Sequence, residues 1–414
     1  MNIIKRIQTS LVKEHLKKSP IVAILGARQV GKTTLVEKLL GEDRAFYTFD
    51  DPALISIAQS NPRSFLTQAN KITLDEVQKC PAILSSIKRI VDEEKVPGRF
   101  LITGSANITM LPKISETLAG RITFVDIFPL TIFEICGFNE RPVAIDILSC
   151  NNHKDCWNLL NKNSGREIPL EKFAFRGGLP PAWIEDDDAA RIRWFEGYVR
   201  TYLERDVRDL SQVRRLYDFR KFLSLMAFRA GQIFNMANIS REVGIPYTTA
   251  VHFFDLLLAS FQVFLLEPYF ANIGKRLTKA PKLIWNDTGI ATYLQGLTKW
   301  EDAEKLGRAP FIIENKITAE IKTLLSVYMP QAKLYYWRTS AGAEIDLLVE
   351  HGGQLIPIEV KWAENVISKS TISMQFFLKD FEKKAPWGII LYKGENLLKL
   401  KENIFLVPFN RFLG

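Results

Sequence analysis

The sequence predicts an α/β protein in three parts, and three observations carry that prediction. A glycine-rich loop, GARQVGKTT (Gly26 to Thr34), follows an apolar strand and opens a helix. Two short helical patterns between Asn238 and Leu258 are broken by Gly244 and followed by two apolar runs. The last third runs helix, three strands, helix, strand. The expected parts are 1–145, 146–290 and 291–414.

The 414 residues are 47% hydrophobic and 24% charged, which suits a globular chain of two or three domains. Lys and Arg number 55 against 46 Asp and Glu; the net charge of +9 permits a polyanionic partner without requiring one. Cys80, Cys136, Cys150 and Cys156 form no C-x-x-C pair, and the first residues are charged and interrupted. No apolar run is long enough to span a membrane. A reduced, cytoplasmic protein without a membrane partner is expected.

In chain order, Ile3, Ile7, Leu11, Val12 and Leu16 recur at helical spacing and predict a lead-in helix with a solvated basic face. The run IVAIL (Ile21 to Leu25) is the next strand, and the loop after it fits G-x-x-x-x-G-K-[ST] at every fixed position. Gly26, Ala27, Arg28, Gln29, Val30, Gly31, Lys32, Thr33 and Thr34 are therefore expected to hold a nucleotide. The two glycines let backbone approach phosphate, and the helix start turns free N–H groups toward it. Lys32 would reach the β and γ phosphates and Thr33 would hold Mg²⁺. AFYTF (Ala45 to Phe49) is a short strand, and KITLDEVQ (Lys71 to Gln78) is another that ends in Asp75 and Glu76. At this distance from the loop, Asp75 would position the Mg²⁺ shell and Glu76 would orient or deprotonate the attacking water. RFLITGSAN (Arg99 to Asn107) places Ser105 either near the γ phosphate or in a simple turn. Arg121, just before the strand ITFVDI, is open to three readings: a sensor in cis, an arginine finger on a neighbour in a homo-oligomer, or a structural salt bridge.

GARQVGKTT, ITLDEVQ, LITGSAN and SETLAGR, in this order, resemble a family of prokaryotic AAA-type ATPases with a C-terminal region related to restriction endonucleases. The resemblance implies an ATP site in which Lys32, Thr33, Asp75 and Glu76 match the Walker A and B positions.

Between Arg141 and Ile168 the periodicity weakens, which marks the first boundary. FRGGLPPAW (Phe175 to Trp183) is a glycine and proline turn that also looks like the family's motif, with no physical role evident beyond connection. RIRWFEGYVRTYLERDVRDLS reads as a salt-bridged helix surface in preference to a phosphate track. In NISREVGIPYTTAVHFFDLLL, Gly244 stops one helix, Ile245 fills the corner and Pro246 opens a second helix, which is helix-turn-helix spacing. The runs FQVFLLEPY and KLIWND would form a wing with Lys275, Arg276 and Lys279 at its tip. A winged helix of this kind can lie on DNA or dock a protein, and both readings stay open.

In the last third, Glu314 on the helix, Asp346 in the second strand, and Glu359 and Lys361 in the third resemble the catalytic set of the PD-(D/E)XK nucleases. Residues 359 and 361 point to the same side of a strand. Asp346 and Glu359 would hold a second divalent metal while Lys361 acts on the phosphate. The alternative is a fold kept without cleavage. The leading expectation is an ATPase that couples its cycle to DNA binding and metal-dependent cutting. The rival is an ATP switch acting on a protein or promoter through an inactive nuclease-like domain.

Overall fold

Parallel strands buried on both faces need mostly apolar runs, and the first 130 residues supply three of them, with two less buried strands beside them. The computed structural model describes the chain except at residues 1–2, 40–42, 105–117, 204–214, 271–279 and 367–370. Ser105, the C-terminal part of the arginine-rich helix and the wing-tip residues Lys275, Arg276 and Lys279 lie outside the described residues. The chain divides into two compact units, Met1–Leu130 with Leu179–Pro181 and Asp255–Gln262, and Thr131–Gly178 with Ala182–Phe254 and Val263–Gly414.

In the first unit, β1 (Ile21–Leu25), β2 (Ala45–Thr48), β3 (Ile72–Asp75), β4 (Phe100–Gly104) and β5 (Ile122–Asp126) form one parallel sheet in the order β2-β3-β4-β1-β5. Every residue of β1, β3 and β4 is buried. Helix Ile83–Glu93 sets Ile83, Leu84, Ile87, Ile90 and Val91 into the core beside Ile21, Leu74 and Ile102. Asp51 caps helix Pro52–Ser60 by accepting from the Ala53 N–H, with Pro52 at the first helical position. Registers Ile21↔Phe100 and Ile72↔Phe100 align the strands, so Leu25, Asp75 and Gly104 all end at the same edge. Ligands of parallel sheets gather at that carboxyl edge.

In the second unit, helix Met236–Val243 ends on Gly244 in the left-handed region at φ 79°; helix Tyr247–Ala259 follows, its residues from Asp255 onward belonging to the first unit. Only glycine takes that φ without a Cβ penalty, which is why the corner falls there. β6 (Val263–Leu266) pairs antiparallel with β7 (Lys282–Trp285). β8 (Lys333–Arg338), β9 (Glu344–His351), β10 (Gln354–Lys361), β11 (Gly388–Tyr392), β12 (Leu398–Lys401) and β13 (Ile404–Pro408) form a mixed sheet in the order β12-β13-β11-β10-β9-β8. Helix Ala309–Tyr328 buries Ile313, Ile317, Ile321 and Leu324, while Tyr328 is half-buried. Its buried Asn315 completes the open edge of β7, accepting from the Trp285 N–H at 2.9 Å and donating to its carbonyl at 2.8 Å.

The FRGG turn has a packing role that its sequence does not disclose. Gly177 sits at φ 75°, and a Cβ there would lie 2.4 Å from the Asp287 carboxylate. Asp287 accepts from the Gly178 N–H at 2.7 Å and, as a helix cap, from the Ile290 N–H at 2.9 Å. A Cβ on Gly289 would lie 2.2 Å from the Arg176 carbonyl oxygen, so two glycines let the two segments meet backbone to backbone. Among the described residues no helix is long and apolar enough to cross a membrane.

Candidate nucleotide site and the C-terminal carboxylate cluster

The loop after β1 turns sharply: Gly26 has φ 153°, Gln29 φ 61° and Gly31 φ 98°. A Cβ on Gly26 would stand 2.2 Å from the Ile127 carbonyl oxygen, so this glycine is demanded by the neighbouring strand end as well as by any phosphate. Helix Lys32–Thr34 opens the next element, which continues as a π-helix over Leu35–Leu39. Lys32 is 5% exposed, and its Nζ donates to the Gly26 and Ala27 carbonyls, each at 2.9 Å. Burial pulls the Lys32 ammonium down to about 8, against the raising effect of Glu76 and Asp75.

Asp75, at the end of β3, is 2% exposed and collects three hydroxyls. Thr33 Oγ1 lies 3.3 Å from either carboxylate oxygen, Thr48 donates at 3.3 Å and Thr103 donates to Oδ1. Glu76 follows in the left-handed region at φ 56° and ψ 44°, where a non-glycine residue costs about 1–3 kcal/mol. Its N–H donates to Thr103 Oγ1 at 3.2 Å, and the Gln78 amide donates to its carboxylate. Strand β4 lies between β1 and β3, so Thr103 stands between the loop strand and the acidic pair.

Sequence reasoning missed Thr103 and Thr48, although a threonine in an otherwise apolar strand beside an acidic strand end is a readable signal. It also missed Arg6, which was expected on a solvated face. Arg6 is 6% exposed and holds the loop, donating to the Val30 carbonyl at 2.7 Å and the Phe128 carbonyl at 2.5 Å. Nothing in the local pattern signals that contact. Arg121 directly precedes Ile122, which pairs with Ile21 at the start of β1, so it sits at the opposite edge of the sheet from the loop. There it forms a two-pronged salt bridge with Asp92 and donates to the Ala119 carbonyl at 2.9 Å.

The four C-terminal residues do come together, with an addition. Lys361 Nζ lies 2.5 Å from Glu359 Oε1 on β10, and Asp346 Oδ2 on β9 accepts from the Val360 N–H at 2.9 Å. Lys282, the first residue of β7, inserts an ammonium 2.9 Å from Glu314, 2.6 Å from Glu344 and 3.9 Å from Asp346. Burial, then Asp346, pushes the Glu314 carboxyl up to about 7, and the same two causes push Glu359 up to about 8. Burial opposes the Lys282 charge, yet Glu314, Asp346 and Glu344 outweigh it and hold the ammonium above its ordinary range.

Residues 18–136 match the family model described as an AAA domain. Residues 168–301 and 311–412 match two domains of unknown function, DUF8612 and DUF4143. The uncharacterized proteins Mb2031c of Mycobacterium bovis and Rv2008c of Mycobacterium tuberculosis are each 30% identical over 416 residues, spanning 100% of this chain and 85% of theirs. The chain belongs to their family. The Hsp104–ADP complex of S. cerevisiae shows a slight likeness, with a TM-score of 0.28 and 11% identity over 80% of this chain and 44% of that one.

For this family member the N-terminal part is a P-loop AAA-type domain, and AAA domains imply a nucleotide and typically Mg²⁺. The residues fit: a hydroxyl and a carboxylate, Thr33 and Asp75, stand together at the mouth of the loop, as a hard cation requires. The C-terminal cluster does not fit the second metal expected there. Its carboxylates already surround an ammonium, and among the described residues no group of three or more His, Cys, Asp or Glu side chains is arranged to hold a metal ion.

Proposed function

We propose that this protein is an ATP-hydrolysing switch that couples its nucleotide state to DNA. The observation that carries the ATP half is the meeting of Lys32, Thr33 and Asp75 at one sheet edge. Lys32 would exchange its two loop carbonyls for the β and γ phosphates, a replacement of neutral acceptors by charged ones. Thr33 and Asp75 would hold Mg²⁺, which supplies charge neutralisation at the phosphates. Glu76, one residue beyond Asp75 at the strand end, would take the proton of the attacking water.

The DNA half is supported by two short helices that meet at Gly244, by the exposed Tyr247 and Thr248 at the start of the second, and by the cationic excess of the chain. Lys275, Arg276 and Lys279 would lie against phosphate.

Two measurements test this reading. Lys32→Ala should abolish nucleotide binding or turnover, and Glu76→Gln should keep binding while turnover stops; normal hydrolysis by either purified variant refutes the ATP assignment. Replacing Lys275, Arg276 and Lys279 together should weaken DNA binding for all sequences alike and flatten its salt dependence. Unchanged affinity would leave the second module as a protein-docking element.

A further inference from the structure

Lys282 begins an apolar strand, and such a lysine would ordinarily leave its ammonium in water. Here the side chain is only 4% exposed and its Nζ is directed among Glu314, Glu344 and Asp346, which come from one helix and one strand. The β6–β7 hairpin that carries it is fastened to the larger sheet. The Tyr269 N–H donates to the Tyr336 carbonyl at 2.7 Å, the Tyr336 N–H donates to the Glu267 carbonyl at 3.1 Å, and the Tyr336 hydroxyl donates to the Ala280 carbonyl at 2.5 Å. The chain leading into Lys282 is therefore anchored to the larger sheet, and the ammonium itself is held by Glu314 and Glu344.

The cluster has the character of a cation site beyond its acidity. Glu359, 6% exposed, gives Oε1 to Lys361 and keeps a buried Oε2 with no hydrogen-bond partner. Four carboxylates face two ammonium groups, so the cluster still favours positive charge. A divalent ion shared by Asp346 and Glu359 would need oxygen ligands within about 2.0–2.6 Å on every side. It would meet the Lys282 ammonium 3.9 Å from the Asp346 carboxylate, with Glu314 and Glu344 already committed to that ammonium, and one desolvated pocket does not hold both cations without strong repulsion.

We propose that Lys282 is the resident cation of this cluster, in place of a divalent metal, and that the cluster becomes a divalent-cation site only when that ammonium is removed. The inference is independent of the ATP reading, because every residue in it lies in the second unit. It assigns the C-terminal domain a fixed internal charge pair where a cutting enzyme would carry a loaded metal.

The test is a titration of nucleotide-free, full-length protein with Mn²⁺, the free ion being followed by electron paramagnetic resonance. Wild type and Asp346→Asn should bind the same number of Mn²⁺ ions, since the cluster contributes none. Lys282→Met, with a similar apolar stem and no charge, should gain one Mn²⁺ per chain, and adding Asp346→Asn to it should remove that ion again. Wild-type protein that loses a bound Mn²⁺ on Asp346→Asn overturns the proposal, and so does a folded Lys282→Met that gains none. If Lys282→Met does not fold, the comparison of wild type with Asp346→Asn still decides which cation is resident.

Discussion

The depressed Lys32 ammonium makes nucleotide affinity pH-dependent in a defined window. In the nucleotide-free protein burial lowers this group from 10.5 to about 8, while a bound triphosphate would favour its charged form. Below about pH 8 the free protein already carries the proton, and affinity should be flat. Above it the proton must be taken up on binding, so affinity should fall as pH rises, by up to about tenfold per unit. With a free-state value near 8, the charged fraction drops from roughly nine-tenths at about pH 7 to roughly one-tenth at about pH 9. The dissociation constant of a non-hydrolysable ATP analogue should therefore rise about tenfold, or about 1.4 kcal/mol, across that span. The assay is fluorescence binding at constant ionic strength and saturating Mg²⁺. Lys32→Arg, always charged, should show no such slope. A flat wild-type profile, or an equal slope in Lys32→Arg, would refute the assignment of the titrating group to Lys32.

Other outcomes follow from the same structure. Asp287→Ala strands the buried N–H groups of Gly178 and Ile290, and at about 1–3 kcal/mol for each it should lower stability by about 2–6 kcal/mol in urea denaturation. Arg6→Ala frees the Val30 carbonyl and should weaken ATP binding with little effect on DNA affinity, measured by the same analogue titration. Breaking the Arg121–Asp92 bridge by Asp92→Asn should leave ATP turnover per chain unchanged, because the pair lies at the far edge of the sheet from the loop. A loss of turnover in that variant would mean that the pair communicates with the nucleotide site.

The strands and the loop were legible because each is encoded locally. IVAIL is an unbroken apolar run and ITLD and FLITG are apolar but for a threonine and their last residue, the pattern of a doubly covered sheet, and Gly26, Gly31 and Lys32 stand at fixed spacing. The contacts that were not legible join residues far apart in the chain. Arg6 reaches Phe128, Asp287 reaches Gly178 and Lys282 reaches Glu314, and nothing in the neighbourhood of any of the six announces its partner. Lys282 misleads most, since a charged residue opening a strand is ordinarily a sign of solvent. FRGG was visible as a turn, but its reason lay in the Asn-Asp-Thr-Gly stretch of residues 286–289.

The position of Gly26 bears on how relatives of this protein should be compared. Because the Ile127 carbonyl oxygen occupies the space that any side chain would need, the sheet itself forbids substitution there, whatever the loop binds. A descendant that had ceased to handle nucleotides would keep this glycine for as long as it kept the sheet. Lys32 has no such architectural guarantor: among the described residues its buried ammonium donates to two carbonyls of its own loop, and it would be shed once the phosphates no longer called for it. Across the family, loss of function would thus be written first at the lysine and last at the glycine.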